Sequence, residues 1–188
     1  MKNINDFTIK EYKEYVDILE DKDHNPFELL KLFGIENADK LKPNEFEKLY
    51  LEVLEQRVTA EPIKEFYNIN GKRYKFVSQI KDINAAQYID YQSYMKNFSD
   101  EKILSIFLLP TKKTIFNKDK VLPYNDGYDI LEVQENLLNN MKMKDAYAIS
   151  DFFLILSMRL TPIFQGYLEA LTMENQRKKN KKVGKKTK

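Results

Sequence analysis

The chain has 188 residues, of which 43% are hydrophobic and 32% charged, a balance typical of one soluble globular domain with a heavily charged surface. It contains no cysteine and a single histidine, His24, which excludes disulfide frameworks, thiolate nucleophiles and metal sites built from several histidines. Its opening lacks the apolar core of a signal peptide, and no apolar run approaches the roughly 20 residues of a membrane span. We therefore expect a cytoplasmic protein with no membrane partner.

Three helices are predicted over residues 8–58, and we interpret them as a helical N-terminal subdomain. The first begins at Thr8, because Thr8 and Glu11 have the spacing of a capping box and apolar residues then recur at helical intervals. The second is predicted to begin at Asn25, which is a favourable cap ahead of a proline. The third is predicted to begin at Pro43.

A β-hairpin is predicted over residues 66–76, in the middle of the chain. Asn70-Gly71 between alternating apolar residues is the strongest short hairpin signal that a sequence offers. On a two-residue turn, Tyr67 lies opposite Tyr74. Because an isolated two-stranded ribbon is marginally stable in water, it must pack on a helix or pair with another chain. We expect it to be the one β element of the protein.

Further helices are predicted after the hairpin, with approximate ranges 82–96, 101–108, 128–139 and from 144 onward. Asp82 or Asn84 caps the first, Pro110 ends the second, and Pro162 kinks or splits the last. The segment Thr111–Gly127 is predicted to be a long basic and polar loop, and hence a contact surface. The predicted fold is α+β, mostly α-helical, with a C-terminal helical bundle. Its predicted divisions are the helical subdomain at 8–58, the hairpin plus helical core at 63–176 and a flexible basic tail at 177–188.

Side chains that carry chemistry are scarce. His24 lies between Asp23 and Asn25 in a polar segment, which favours a solvated loop histidine over a catalytic one. The five glycines form no nucleotide-binding pattern, and the carboxylates lie on predicted helix faces among lysines. We therefore predict no catalytic residue, no cofactor and no metal site, and we expect that the protein is not an enzyme.

Tyrosines are the candidate residues for partner binding. The four that we select are Tyr67, Tyr74, Tyr88 and Tyr91. The spacing of Tyr88, Tyr91 and Tyr94 also suits a base-stacking platform, but Asp90 lies between two of them and dense basic residues are absent. Packing in the core or at an interface is therefore favoured.

The C-terminal tail is strongly basic. It contains eight basic residues and no acid, whereas all 29 acids lie in the rest of the chain. The basic residues are Arg177, Lys178, Lys179, Lys181, Lys182, Lys185, Lys186 and Lys188. Three interpretations stay open: a solubilising end, a segment that neutralises nucleic-acid phosphates, and a segment that docks on an acidic protein surface. The tail has no aromatic residue, which argues against sequence-specific base recognition.

Seven segments, taken in this order, resemble a known group of proteins. They are Thr8–Tyr12, Leu41–Phe46, Tyr67–Tyr74, Ala86–Gln92, Leu104–Pro110, Tyr124–Asp129 and Ala146–Phe153. Across about residues 8–153 the chain resembles small proteins encoded in the structural gene blocks of tailed bacteriophages, especially those infecting Bacteroidetes, crAss-like phages included. The resemblance implies a tail-assembly-chaperone-like protein or a virion component, and it supplies no catalytic residues.

We therefore expect a non-enzymatic phage protein that acts in virion or tail assembly through protein–protein contacts. As a chaperone, it would shield apolar helices of a tail or tape-measure protein in the host cytoplasm, with other phage structural proteins as partners. The alternative is a structural or packaged virion component, such as a neck, ring or capsid-internal protein, whose basic tail contacts DNA. A third class is a host-directed DNA-binding regulator. Oligomer formation is compatible with each of these functions.

Overall fold

The computed structural model describes residues 1–78, 83–96, 100–116 and 118–152. Residues 1–150 form one unit, and residues 151–188 are assigned to a second. The α-helices are α1 Ile9–Glu20, α2 Pro26–Leu32, α3 Pro43–Glu55, α4 Ala85–Lys96, α5 Asp100–Phe107 and α6 Ile130–Asn140, and residues 143–150 are also helical (α7). Strands β1 Phe66–Ile69, β2 Lys72–Phe76, β3 Leu108–Lys113 and β4 Asp119–Val121 form an antiparallel sheet in that order. The predicted mostly helical α+β class is confirmed.

The predicted start of α1 is confirmed by its hydrogen bonds. The Thr8 amide donates to Glu11 Oε2 at 2.8 Å, and the Glu11 amide donates to Thr8 Oγ1 at 3.2 Å. This reciprocal pair satisfies two amides that have no partner inside the helix. Asn25 likewise caps α2, because its Oδ1 accepts from the Phe27 amide at 3.0 Å. Local sequence signals therefore determine where the N-terminal helices begin.

An aromatic cluster joins the first helices of the core. The rings of Phe7 and Phe33 lie 4.6 Å apart, and Tyr15 meets Phe33 edge-on at 5.8 Å. All three side chains are buried. Edge-to-face and tilted contacts of this kind stabilise a core beyond the apolar area that they bury.

The N-terminal helices do not form a separate subdomain. The amide of Ile9 donates to the carbonyl of Met141 at 3.2 Å, and the amide of Met143 donates to the carbonyl of Phe7 at 2.8 Å. Thr8 thus forms an antiparallel bridge with Lys142, between α6 and α7. The predicted division between residues 58 and 63 therefore does not separate two compact units.

The predicted hairpin is present with the predicted turn and register. Asn70 and Gly71 have φ angles of 47° and 73°, the two positive values that a type I′ turn requires, and Tyr67 lies opposite Tyr74. One face of this ribbon is buried and packs on α6, where Asn136 Nδ2 donates to the carbonyl of Ile69 at 3.3 Å.

The prediction that this hairpin is the one β element is wrong. Directly after α5, residues 108–110 pair with β2, and residues 111–113 pair with β4. The prediction of a loop over 111–127 is therefore wrong for its first part. Pro110 does not terminate α5 by itself: it lies inside β3, and its carbonyl accepts from the Leu122 amide at 2.9 Å. The chain leaves the helix at Leu108, the first residue of β3, whose side chain is buried. The region predicted as a C-terminal helical bundle therefore contains half of the sheet as well as α4, α5 and α6.

Candidate interaction surfaces

Two of the four selected tyrosines lie in the core. Tyr67 is 3% exposed and its hydroxyl accepts from the Lys64 amide at 3.0 Å, while Tyr74 is 0% exposed and its hydroxyl accepts from Asn136 Nδ2 at 2.7 Å. Burial raises the pKa of both phenols. The prediction that Tyr67 and Tyr74 bind a partner is corrected accordingly, because neighbouring residues of the same unit enclose both side chains.

The other two selected tyrosines, Tyr88 and Tyr91, are half-buried on α4. Tyr91 meets the ring of Phe107 edge-on at 5.6 Å, so this side of α4 packs on α5. Between the two tyrosines, Ile89 is exposed. Partner binding at Tyr88 and Tyr91 stays a prediction.

The start of α4 is held by reciprocal hydrogen bonds. The Gln87 amide donates to Asn84 Oδ1 at 2.9 Å, and the Asn84 amide donates to Gln87 Oε1 at 3.0 Å. Of the two predicted caps, Asn84 is thus confirmed, and Asp82 lies outside the described residues. The buried Gln87 also donates from Nε2 to the carbonyl of Ile106 at 2.8 Å, which joins α4 to the end of α5.

A row of aromatic side chains lies across α2 and α3. The rings of Phe27 and Phe46 are 5.1 Å apart, and Phe46 stacks on Tyr50 with centroids 6.1 Å apart and nearly parallel planes. His24 extends the row, because its Nε2 lies 2.9 Å from the Tyr50 hydroxyl. We call Phe27, Phe46 and Tyr50 the aromatic row. Phe27 is 44% exposed, so the row reaches the surface.

His24 differs from its sequence-based interpretation. It is half-buried rather than fully solvated, and its Nδ1 lies 2.9 Å from the Asp21 carbonyl. Both ring nitrogens therefore have partners within the fold. The residue connects the loop before α2 to α3, which is a structural role.

An ion-pair network connects the segment before β1 to the start of α7. Lys64 lies 2.9 Å from Glu61 and 2.8 Å from Asp145, and Lys144 lies 2.9 Å from Glu61. Hydrogen bonds from Lys144 and Lys64 lower the pKa of Glu61 to about 2. These charges are partly exposed at the surface. We therefore interpret the network as a structural contact that holds the two segments together, and not as a catalytic site.

The β3–β4 hairpin presents apolar and basic side chains together. Ile115 is 100% exposed and Phe116 is 85% exposed, next to each other at the end of the ribbon. Behind them, Lys112 lies directly opposite Lys120 in the strand register. We call Lys112, Ile115, Phe116, Lys118 and Lys120 the basic–apolar tip.

The acid next to the tip is neutralised by other residues. Asp119 lies 3.1 Å from both Arg73 Nη1 and Lys113 Nζ. Within the described ranges, no acidic side chain forms an ion pair with Lys112 or Lys120. The tip is therefore positively charged, although an acidic residue occurs in its sequence.

The polarity of segment 111–127 predicts a contact surface there, but Ile115 and Phe116 are not among the residues predicted to bind a partner. The available signal was an apolar pair bracketed by lysines within a polar stretch.

No group of three or more histidine or carboxylate side chains within the described residues has a metal-binding arrangement. In the same part of the chain, no helix is both long enough and apolar enough to cross a bilayer.

The predicted tail contacts, Arg177 to Lys188, and the predicted kink at Pro162 lie outside the described residues.

Comparison with known proteins gives no match: no family model, no curated protein and no solved structure is significantly similar to this chain.

Proposed function

We propose that this chain is a non-enzymatic protein of a tailed bacteriophage that acts in virion or tail assembly through protein–protein contacts. The observation that carries the proposal is the aromatic row on α2 and α3, which ends at the exposed ring of Phe27. Aromatic side chains on a rigid helical surface are frequent anchors of protein interfaces, because they bury a large area at a low cost in conformational entropy. The sequence resemblance to phage assembly proteins supports the same proposal.

The expected partner is an apolar helix of another phage structural protein, such as a tail or tape-measure protein. The aromatic row lies on two adjoining helices, and such surfaces accept the apolar face of a third helix. The half-buried Tyr88 and Tyr91, together with the exposed Ile89 on α4, offer a second apolar surface.

The test is co-purification of phage proteins from infected cells with the tagged full chain. Phe27→Ser is expected to reduce recovery of the structural partner about tenfold, because truncation of an aromatic anchor commonly costs that much affinity. Ile63→Ser is the matched control, since Ile63 is 42% exposed and lies outside the row. Equal recovery by the two variants would contradict docking at the aromatic row.

The alternative function, a structural or packaged virion component, is favoured by the charge of the tail. Eight cations would bind DNA with a steep dependence on salt concentration. Mass spectrometry of purified particles separates the two functions: stoichiometric presence supports the virion component, and absence supports the assembly chaperone. A DNA-binding regulator would instead show a salt-dependent gel shift that deletion of residues 177–188 abolishes.

A further inference from the structure

We propose that the basic–apolar tip binds the surface of bilayers containing anionic lipids, with Ile115 and Phe116 entering the bilayer and the lysines remaining at the level of the headgroups. This is a peripheral contact and not a membrane span. It adds a lipid surface to the protein partners proposed above and does not depend on them.

The apolar part of the tip favours insertion into a bilayer. Ile115 and Phe116 are the most exposed large hydrophobic side chains in the described residues, and they are adjacent at the end of a ribbon. Removing such side chains from water is favourable, and a fluid bilayer accepts a projecting side chain without a preformed cavity. A protein partner would need a cavity shaped to receive both side chains.

The arrangement of charge at the tip favours an anionic surface. Lys112 and Lys120 face each other across the strands, and like charges in opposite register destabilise a ribbon. An anionic headgroup between them would remove this repulsion. Because Asp119 is already held by Arg73 and Lys113, it does not cancel the positive field at the tip.

A concave surface lies beside the tip. Its volume is about 600 Å³, and its lining combines lysines and a threonine with apolar side chains: Lys112, Lys113, Thr114, Ile115, Phe116, Lys120 and Leu122. No acid contributes to this lining. The combination suits a phosphate-bearing headgroup together with the start of its acyl chain.

Nucleic acid is the competing ligand for a basic ribbon. Ribbons that insert apolar side chains between bases use arginine, lysine, asparagine or glutamine to contact base edges. The tip has lysines, and Asn117 follows Phe116 in the sequence, so its composition fits either ligand. The bilayer is favoured because the concave surface beside the tip combines apolar side chains with lysines, and a fluid bilayer accepts Ile115 and Phe116 without a preformed cavity.

The test uses the full chain with Phe116→Trp, which introduces a sole tryptophan because the sequence contains none. Vesicles that mix phosphatidylcholine and phosphatidylglycerol are expected to shift its emission to the blue, and brominated acyl chains are expected to quench it. Vesicles of phosphatidylcholine alone should give no shift at the same lipid concentration. Leu131→Trp, at an exposed position on α6, is the control and should not shift. It also controls for the basic tail, which can attract the chain to anionic vesicles without placing residue 116 in the bilayer.

In the Phe116→Trp background, Ile115→Ser and the pair Lys112→Glu with Lys120→Glu are each expected to weaken partitioning about tenfold or more. Circular dichroism verifies that these variants are folded. Three results would overturn the proposal: no blue shift with anionic vesicles, an equal shift at position 131, or a response of residue 116 to duplex DNA and not to vesicles.

Discussion

Single residues inside the sheet and helices show how buried polar groups are satisfied. Asn136 on α6 donates to the Tyr74 hydroxyl at 2.7 Å and to the Ile69 carbonyl at 3.3 Å, and its Oδ1 accepts from Asn140 at 3.0 Å. Asn136 and Tyr74 are both buried. A buried polar group that loses its partner costs more than an exposed one, because water cannot replace that partner.

Tyr74→Phe is therefore expected to destabilise the protein by about 1–3 kcal/mol, since it removes the shorter of the two hydrogen bonds donated by Asn136. Urea unfolding followed by circular dichroism measures the change. Tyr147→Phe, at an exposed tyrosine, should change the stability by less than about 0.5 kcal/mol. Similar losses for both variants would show that the Asn136 contact contributes little.

Gly71 is a second position where one residue determines local structure. Its φ of 73° disfavours side chains, although an added Cβ would meet nothing within 4 Å. Gly71→Ala should thus destabilise the protein by about 1 kcal/mol through backbone strain alone. Gly71→Asn should cost less, because asparagine tolerates this conformation better. Thermal unfolding of the two variants tests that order, and a smaller loss for alanine than for asparagine would contradict it.

At the level of elements, the two hairpins differ in how well their strands and turns can be predicted from the sequence. The β1–β2 hairpin has an Asn-Gly turn and buries alternate residues, so its register was predictable from residues such as Tyr67 and Tyr74. The β3–β4 hairpin has few apolar residues to bury along its outer part. It also contains Lys112 and Lys113, and lysine is less frequent in strands than in other structure. It forms because β3 continues the sheet beside β2, a long-range contact that no local pattern encodes.

The basic–apolar tip and the burial of the selected tyrosines could likewise be predicted only in part. The segment 111–127 was recognisable as a surface from its polarity. The exposure of Ile115 and Phe116 was not, because it depends on the turn between β3 and β4. Conversely, burial of Tyr67 and Tyr74 follows from the packing of α6 on the sheet, which the sequence alone does not determine.

The lysine pair across the second hairpin leads to a prediction about stability. Lys120→Glu is expected to stabilise the protein by about 0.5 kcal/mol, because it replaces a like-charged cross-strand pair with an attractive one. Lys120→Gln should give about half of that gain. Chemical denaturation at low ionic strength measures both, and added salt should reduce the effect. A loss of stability for the glutamate variant would contradict repulsion between Lys112 and Lys120.

For residues 1–150 as a whole, the ion-pair network around Glu61 makes the free energy of unfolding depend on pH. Glu61 has a folded-state pKa of about 2, below its ordinary value of 4.5, so folding favours its charged form. The corresponding stabilisation is present above about pH 4.5 and is lost as the pH falls toward 2. The ion pair between Glu61 and Lys144 connects the segment before β1 to the start of α7.

Glu61→Gln is accordingly expected to be less stable than the natural sequence at pH 7, and the difference should shrink as the pH is lowered from 4.5 toward 2. Urea midpoints measured across this range provide the test. Glu47→Gln is the control, because Glu47 is exposed on α3 and lies outside the network. A difference independent of pH would argue against the ion pairs as its cause.

The bridge between Thr8 and Lys142 has a consequence for the order of folding during synthesis. The amide of Ile9 has its partner in the carbonyl of Met141, so α1 can form early, but its bridge to the segment between α6 and α7 cannot form until that residue has left the ribosome. Contacts between such distant positions slow folding, because a long loop must close before they form. We therefore expect this bridge to form late, after the aromatic cluster of Phe7, Tyr15 and Phe33, whose members lie close together in the sequence.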